Sequence, residues 1–308
     1  MPTFLHTLTH NARIPRRHLA GVASLIALAL TAACGGSHSG HSGAMTGAAS
    51  PSMAMDHDGG HTGMTGHSGY DGKGLSASED GYTLKPTSTA LRLGRQRLTF
   101  QVLDADGRPV TDYVEDQTKK LHLYLVRLDL TGYQHLHPEL TGGTWSVDVE
   151  AAEPGPYRMY TDFIAKDAMG REHALVLSTL LTAPGSYTPA PLPAASSTTT
   201  AAGLTATVAG TIRAGEESDL RVEITADGKP VKDLQPYLDA FAHLTALRSG
   251  DAAYRHIHPE QAAEAGQLGG PTLDFEVDVP EPGDYRFFLQ VQRGGELHLL
   301  PITITVAS

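Results

Sequence analysis

Two histidine doublets, each followed by proline, are the residues of this sequence best placed to do chemistry. Gln134-His135-Leu136-His137-Pro138-Glu139 is answered by Arg255-His256-Ile257-His258-Pro259-Glu260, 121 positions later. A third histidine keeps the same offset, because His122-Leu123 returns as His243-Leu244. On a strand, residues i and i+2 share a face, so each doublet offers two imidazoles side by side. Imidazole nitrogen is a good ligand for zinc and copper, and three such groups on one sheet face can hold either ion. A hairpin supplies the third. The turn at 129–132 folds 121–128 back against the doublet, and if Leu128 faces Tyr133, His122 faces Glu139 on the face of His135 and His137. The second copy repeats this with His243, His256 and His258 around 249–253. Candidate fourth ligands are Asp162, His173 and His298. A structural reading stands beside the metal one: His122 and His243 lie in otherwise apolar strands, where a core histidine bonded to a backbone carbonyl is ordinary.

The elements that position these residues are themselves duplicated. Asp106-Gly107-Arg108-Pro109-Val110 matches Asp227-Gly228-Lys229-Pro230-Val231 at the same offset of 121. Glu153-Pro154-Gly155-Pro156-Tyr157-Arg158 matches Glu281-Pro282-Gly283-Asp284-Tyr285-Arg286 at 128, so about seven residues are inserted around 262–270. Apolar and β-branched runs over 98–103, 121–128, 145–149, 157–163 and 174–182 predict the strands of one copy. Runs over 220–225, 241–247, 273–279, 285–292 and 298–306 predict those of the other. Gly-containing turns separate them, and no long segment has helical periodicity. The fold class expected is all-β: two tandem Ig-like antiparallel β-sandwiches at 81–185 and 201–308, joined by a Pro/Ala/Ser/Thr linker at 186–200.

The N-terminus sets the compartment. Arg13, Arg16 and Arg17 precede a short apolar segment ending in Leu30-Thr31-Ala32-Ala33-Cys34, the pattern of a secretory signal over residues 1–34 rather than of a membrane span. The junction resembles a bacterial lipobox, with Thr31 the less usual residue, and implies cleavage before Cys34 and acylation of its thiol. Arg16-Arg17 matches a twin-arginine signal only loosely. Cys34 is the single cysteine, so no intramolecular disulfide forms. Losing residues 1–34 removes three arginines and no acids, leaving 20 basic against 34 acidic residues, a net charge of −14. That balance excludes the basic footprint nucleic-acid binding needs.

Residues 35–80 are largely Gly, Ser, Ala, His and Met, a composition with too few branched aliphatics to fold, and are read as disordered. Histidine and methionine interleave there: Met53, Met55, His57, His61, Met64 and His67 are the candidate ligands. Thioether sulfur suits Cu(I) while imidazole serves Cu(I), Cu(II) and Zn(II), so copper is the expected ion and zinc the alternative. The other reading of the tract is a solubilising spacer.

Past the tract the chain resembles a group of actinobacterial secreted proteins related to YtkA-like and heavy-metal-associated domains. Residues 121–140 with Trp145 and 154–163 carry the first-copy pattern, and 236–260 with 282–292 the second. The resemblance covers most of 82–306 and implies the sandwich fold and secretion. One departure is Gln290-Val291, where an acidic or aromatic pair is expected. No enzymatic motif emerges: there is no GxSxG elbow, no phosphate-binding glycine loop and no free catalytic cysteine. The reading is a lipid-anchored extracytoplasmic protein that captures metal, anchored in the membrane through its acyl group. Its competitor is a metal-free Ig-like surface module contacting another envelope protein.

Overall fold

A computed structural model describes residues 73–257 and 259–308. The signal segment, Cys34 and the tract ligands Met53, Met55, His57, His61, Met64 and His67 lie outside the described residues, as does His258.

The first copy consists of β1 (Ser78–Glu79), β2 (Tyr82–Pro86), β3 (Gly94–Leu103), β4 (Tyr113–Val114), β5 (His122–Arg127), β6 (Gln134–Leu136), β7 (Glu139–Thr141), β8 (Thr144–Ala151), β9 (Gly155–Lys166) and β10 (Glu172–Ala183). One sheet runs β1-β2-β3-β8-β7, and the other β10-β9-β5-β6 with β4 beside β9. The second copy consists of β11 (Thr198–Ala201), β12 (Leu204–Ala209), β13 (Glu217–Ala226), β14 (Lys229–Pro230), β15 (Leu234–Gln235), β16 (Ala242–Arg248), β17 (Tyr254–Ile257), β18 (Thr272–Asp278), β19 (Gly283–Arg293) and β20 (Glu296–Val306). Its sheets repeat the plan: β11-β12-β13 with β18 and β14 on β13, and β20-β19-β16-β17 with β15 on β19. The expected all-β fold of paired antiparallel sandwiches holds, and no helix occurs among the described residues.

Two kinds of sheet result from two kinds of sequence. In β3, Leu98, Phe100 and Val102 turn inward while Arg97, Thr99 and Gln101 alternate outward, the signature of a sheet with one wet face. In β5 every residue is buried. Leu123 and Leu125 join the core of their own sandwich, while His122, Tyr124 and Val126 leave from the opposite face. β16 does the same, with Ala242, Leu244 and Ala246 inward and His243, Thr245 and Leu247 outward. The outward faces meet. Tyr124, Val126, Tyr133, Tyr160 and Val176 of the first copy form one apolar cluster with Leu247, Tyr254 and Phe288 of the second.

Three expectations need correction. The hairpin register is Leu123↔Leu136, Tyr124↔His135 and Leu125↔Gln134, two residues from the pairing expected. The turn is asymmetric: Arg127 N bonds Thr131 O, Leu128 N bonds Pro156 O on the neighbouring strand, and Leu130 takes φ 63°. A slip of two leaves every side chain on its original face, so the shared face of the histidines survives. Second, the tract expected to be disordered to residue 80 ends sooner. Lys73 O accepts from Tyr254 N (2.9 Å), Gly74 is buried, and Ser76 O accepts from Ser178 N (2.7 Å). Those backbone groups find partners on both sandwiches, which a composition argument does not register. Third, the final residues of the 186–200 linker belong to β11, which pairs with β12. The linker's start is also fixed. The buried Arg127–Asp129 pair (2.7 Å) extends to it, Arg127 donating to Thr188 O (3.0 Å) and Asp129 accepting from Ala190 N (2.8 Å).

Candidate metal centre

Each copy begins its site with a strained turn. In Asp116-Gln117-Thr118-Lys119 the end residues exchange backbone hydrogen bonds, and Gln117 and Thr118 take φ 46° and 65°. Tyr237-Leu238-Asp239-Ala240 repeats it, with φ 52° and 60° at its centre. Two successive left-handed residues define a type I′ turn, at roughly 1–2 kcal/mol for each non-glycine residue. What the strain secures is a carbonyl. His122 Nε2–H donates to Asp116 O (3.1 Å), and His243 Nε2–H to Tyr237 O (2.7 Å). Both core histidines therefore carry their proton on Nε2 and turn an Nδ1 lone pair away from the turn.

His135, opposite Tyr124 on β6, stacks on that ring with centroids 4.4 Å apart and planes at 20°. Its Nε2 stands 3.0 Å from His122 Nδ1. Its Nδ1 lies 2.7 Å from Oε1 of Gln290, on β19 of the second sandwich. His137, just past the strand, lies 5.1 Å from the His122 ring and 4.8 Å from that of His135, centroid to centroid. Its Nε2 is buried and makes no hydrogen bond. One donor atom from each of His122, His135 and His137 lies within 4.8 Å of the others, the group of three among the described residues able to hold a metal ion. In a tetrahedral zinc site, bonds of about 2.0–2.1 Å place ligand nitrogens about 3.3 Å apart. Modest side-chain rotation closes the remaining gap.

All three are held neutral, as ligation demands. Burial drives His135 well below the ordinary imidazole value, helped by the proximity of His122 and His137. His122 is lowered by burial and then by His256, against the pull of Asp162. His137 is pushed down to about 3 by burial, then by His122 and Lys119.

The second copy's histidines were expected to make a separate site. Two of them, His243 and His256, meet the first set across the apolar contact, the His243 ring 6.3 Å from His135 and the His256 ring 6.0 Å from His122, while His258 lies outside the described residues. His256 Nδ1–H donates to Asp162 Oδ2 (3.0 Å), which also accepts from Tyr254 OH (3.0 Å). Gln117 Nε2 lies 3.4 Å from His256 Nε2. Of the candidate fourth ligands, Asp162 is thus drawn to His256 and Tyr254. His173 lies by Asp167 (3.4 Å) and packs on Tyr82, and His298 Nε2 bonds Arg293 O (3.3 Å). His173 and His298 stay outside the donor group because β10 and β20 lie beyond β9 and β19 from the histidine strands.

These cross-contacts come in exchanged pairs. Tyr133 stacks on Phe288 (4.1 Å, 5°) as Tyr254 stacks on Tyr160 (5.2 Å, 28°). Tyr133 reaches Thr245 (3.0 Å) as Tyr254 meets Tyr124. His135 reaches Gln290 as His256 reaches Asp162. At the repeat offsets, each pair is the other with the copies swapped, the pattern of an isologous two-fold contact. Sequence reasoning missed Gln290, the two turn carbonyls and the tyrosines. The signals were present in the alignment of Asp162 with Gln290 and in apolar runs too continuous for a one-sided sheet.

Fold and site together define a class: a duplicated β-sandwich protein whose halves join around a buried histidine cluster. The chain belongs to the family described as Domain of unknown function (DUF8832), which it matches over residues 77–176 and 198–308. No curated protein matches it. Among solved structures it is similar to a mutant alpha-2-macroglobulin from Salmonella, at 14% identity and a TM-score of 0.25 over 77% of this chain and 15% of that one. It is also similar to a putative membrane anchored protein from Corynebacterium diphtheriae, at 14% identity and a TM-score of 0.22 over 75% of this chain and 59% of that one. The chain thus spans only part of either, and scores this low carry no argument. No helix among the described residues is long and apolar enough to cross a membrane.

Proposed function

We propose that this protein binds a transition-metal ion outside the cytoplasm, held by His122, His135 and His137, and serves in metal capture or homeostasis. One observation carries the reading. His122 spends its proton on Asp116 O, and His135 donates Nδ1–H to Gln290 Oε1, so His122 Nδ1 and His135 Nε2 direct two lone pairs at each other across 3.0 Å. Two facing acceptors repel unless a cation lies between them. A proton is disfavoured there, because burial depresses both imidazoles. A metal ion satisfies both, with His137 Nε2 as third donor. Imidazole ligands suit copper(II) and zinc(II) alike, copper being favoured by the methionines of the N-terminal tract. In this reading Cys34 carries the acyl anchor, and Met53, Met55, His57, His61, Met64 and His67 form a capture arm.

The test is zinc(II) and copper(II) titration of the chain freed of its signal segment and Cys34 (residues 35–308) and its His137→Ala variant against a chromophoric chelator. X-ray absorption then reads the ligands of the loaded protein. Stoichiometric binding with histidine nitrogens at about 2.0–2.1 Å for zinc supports the reading. Binding unchanged by His137→Ala removes the triad from it.

A second reading has its own support. A 180° turn of the Gln290 amide would let it donate to His135 Nδ1; His135 Nε2–H would then donate to His122 Nδ1, closing the network without metal. The cluster would be polar mortar in a metal-free surface module that contacts an envelope partner. The paired-sandwich fold meets that reading as it stands, with no ion required. Absence of any metal binding above that of the tract alone would select it.

A further inference from the structure

We infer that Gln290 is a positioning residue for the ion site of the first sandwich, so that this site is complete only when the second sandwich is docked against it. The inference rests on the metal reading above and specifies what controls the site. Gln290 touches no donor lone pair. It acts through His135: while Oε1 accepts from Nδ1, the ring must present an unprotonated Nε2 to the ion. Gln290 is itself 5% exposed and pairs with His243 in the β16–β19 ladder, so its carboxamide is delivered by the fold of the second sandwich. The exchanged contact has the same logic. Asp162 pairs with His122 in the β5–β9 ladder and orients His256 of the other copy through Nδ1. Residues 162 and 290 occupy equivalent places, each rooted beside one copy's core histidine and reaching the other copy's doublet. They differ in charge. His135 is therefore held by a neutral carboxamide and His256 by a carboxylate.

The experiment reads the position of the proton as well as the metal. Histidine tautomers are assigned by nitrogen-15 NMR in the chain freed of its signal segment and Cys34 (residues 35–308) under chelator, and zinc(II) affinity is measured by chelator competition, for wild type, Gln290→Leu, Gln290→Glu and Asp162→Asn. Wild-type His135 should carry its proton on Nδ1. Gln290→Leu should move it to Nε2, toward His122, and weaken zinc(II) about 10- to 100-fold, the usual effect of losing such a partner. Gln290→Glu should restore the Nδ1 proton and bind zinc(II) at least as tightly as wild type, which a purely steric role for the side chain does not predict. Asp162→Asn should leave the His135 tautomer unchanged. A wild-type His135 protonated on Nε2, or a Gln290→Leu variant with tautomer and affinity intact, overturns the inference. Tautomer exchange in a wild-type chain that binds no zinc(II) or copper(II) would instead overturn the metal reading and leave Gln290's hold on His135 standing. Should Gln290→Leu fail to fold, the tautomer and affinity of Gln290→Glu still decide the matter.

Discussion

Acidifying the metal-free protein from pH 7.5 to pH 5 should destabilise it through the histidine cluster. His137 is pushed down to about 3 in the folded state from an ordinary 6.5, mainly by burial. In the window between those values the unfolded chain holds a proton there that the folded chain refuses. Stability is therefore complete above about pH 6.5 and falls as pH drops toward the folded value. At pH 5 this one group removes roughly 2 kcal/mol. His122 and His135, lowered for the same reason, act in the same direction. Against a total stability of about 5–15 kcal/mol the change is large. Stopping at pH 5 keeps the salt-bridged carboxylates, whose folded values are lowered, out of the measurement. Trp145, the single tryptophan and 2% exposed in the first core, reports unfolding in urea. His137→Asn, which cannot titrate, should reduce the loss by roughly 2 kcal/mol. A wild-type midpoint that does not move between pH 7.5 and 5, or an unaltered slope in the variant, would refute the argument that these imidazoles are buried neutral.

Four further outcomes follow from particular residues. Added zinc(II) should raise the urea midpoint at pH 7.5 and still do so at pH 5, because burial keeps the three imidazoles neutral there; stabilisation lost at pH 5 would show that protons compete for them. Deleting residues 35–72 should remove Cu(I) capture by Met53, Met55 and Met64 while leaving zinc(II) affinity unchanged. The cut must stop before Lys73, since Lys73 O bonds Tyr254 N and a deletion through Gly74 would disturb the apolar contact itself. Cys34→Ala should shift the protein from the membrane fraction to the soluble one or stall its processing, and wild-type protein found wholly soluble would remove the anchor. Thr118→Gly, at an exposed left-handed position, should raise stability by roughly 0.5–1 kcal/mol, the relief of strain less glycine's entropy cost; a loss instead would show that the threonine side chain matters to the turn.

The strands were legible because their apolar runs are long and bounded by glycine turns, and each predicted run lies in a real strand to within a few residues. Same-face placement of His122, His135 and His137 followed from period-two geometry, and it tolerated a wrong register because the error was even. What the repeat could not reveal was that its two copies meet. Equal spacing in each copy is as compatible with two separate sites as with one shared one. The sign that the copies meet lay in Leu121-His122-Leu123-Tyr124-Leu125-Val126, a run with no outward polar alternation, and only packing shows what covers its second face. Short edges such as Ser78–Glu79 and Tyr113–Val114 were missed because two residues carry no periodicity.

The exchanged contacts constrain how far the two halves can be understood apart. If the first sandwich stood alone, the face of β5 and β9 would present Tyr124, Val126, Tyr133 and Tyr160 to water, and His135 would lose the acceptor on Nδ1. An apolar patch of that kind is covered in a stable monomer or marks an interface. Here the second copy covers it with the equivalent face of its own. The same packing excludes water from the imidazoles and lowers their proton affinity. Duplication therefore does more than supply two sets of histidines. It makes the dry, two-sided environment in which a histidine triad is neutral at ordinary pH and His135 takes its Nδ1 partner from the opposite copy. Substitutions that separate the sandwiches should consequently raise the histidine pKa values and alter the donor geometry together, though no histidine has been changed.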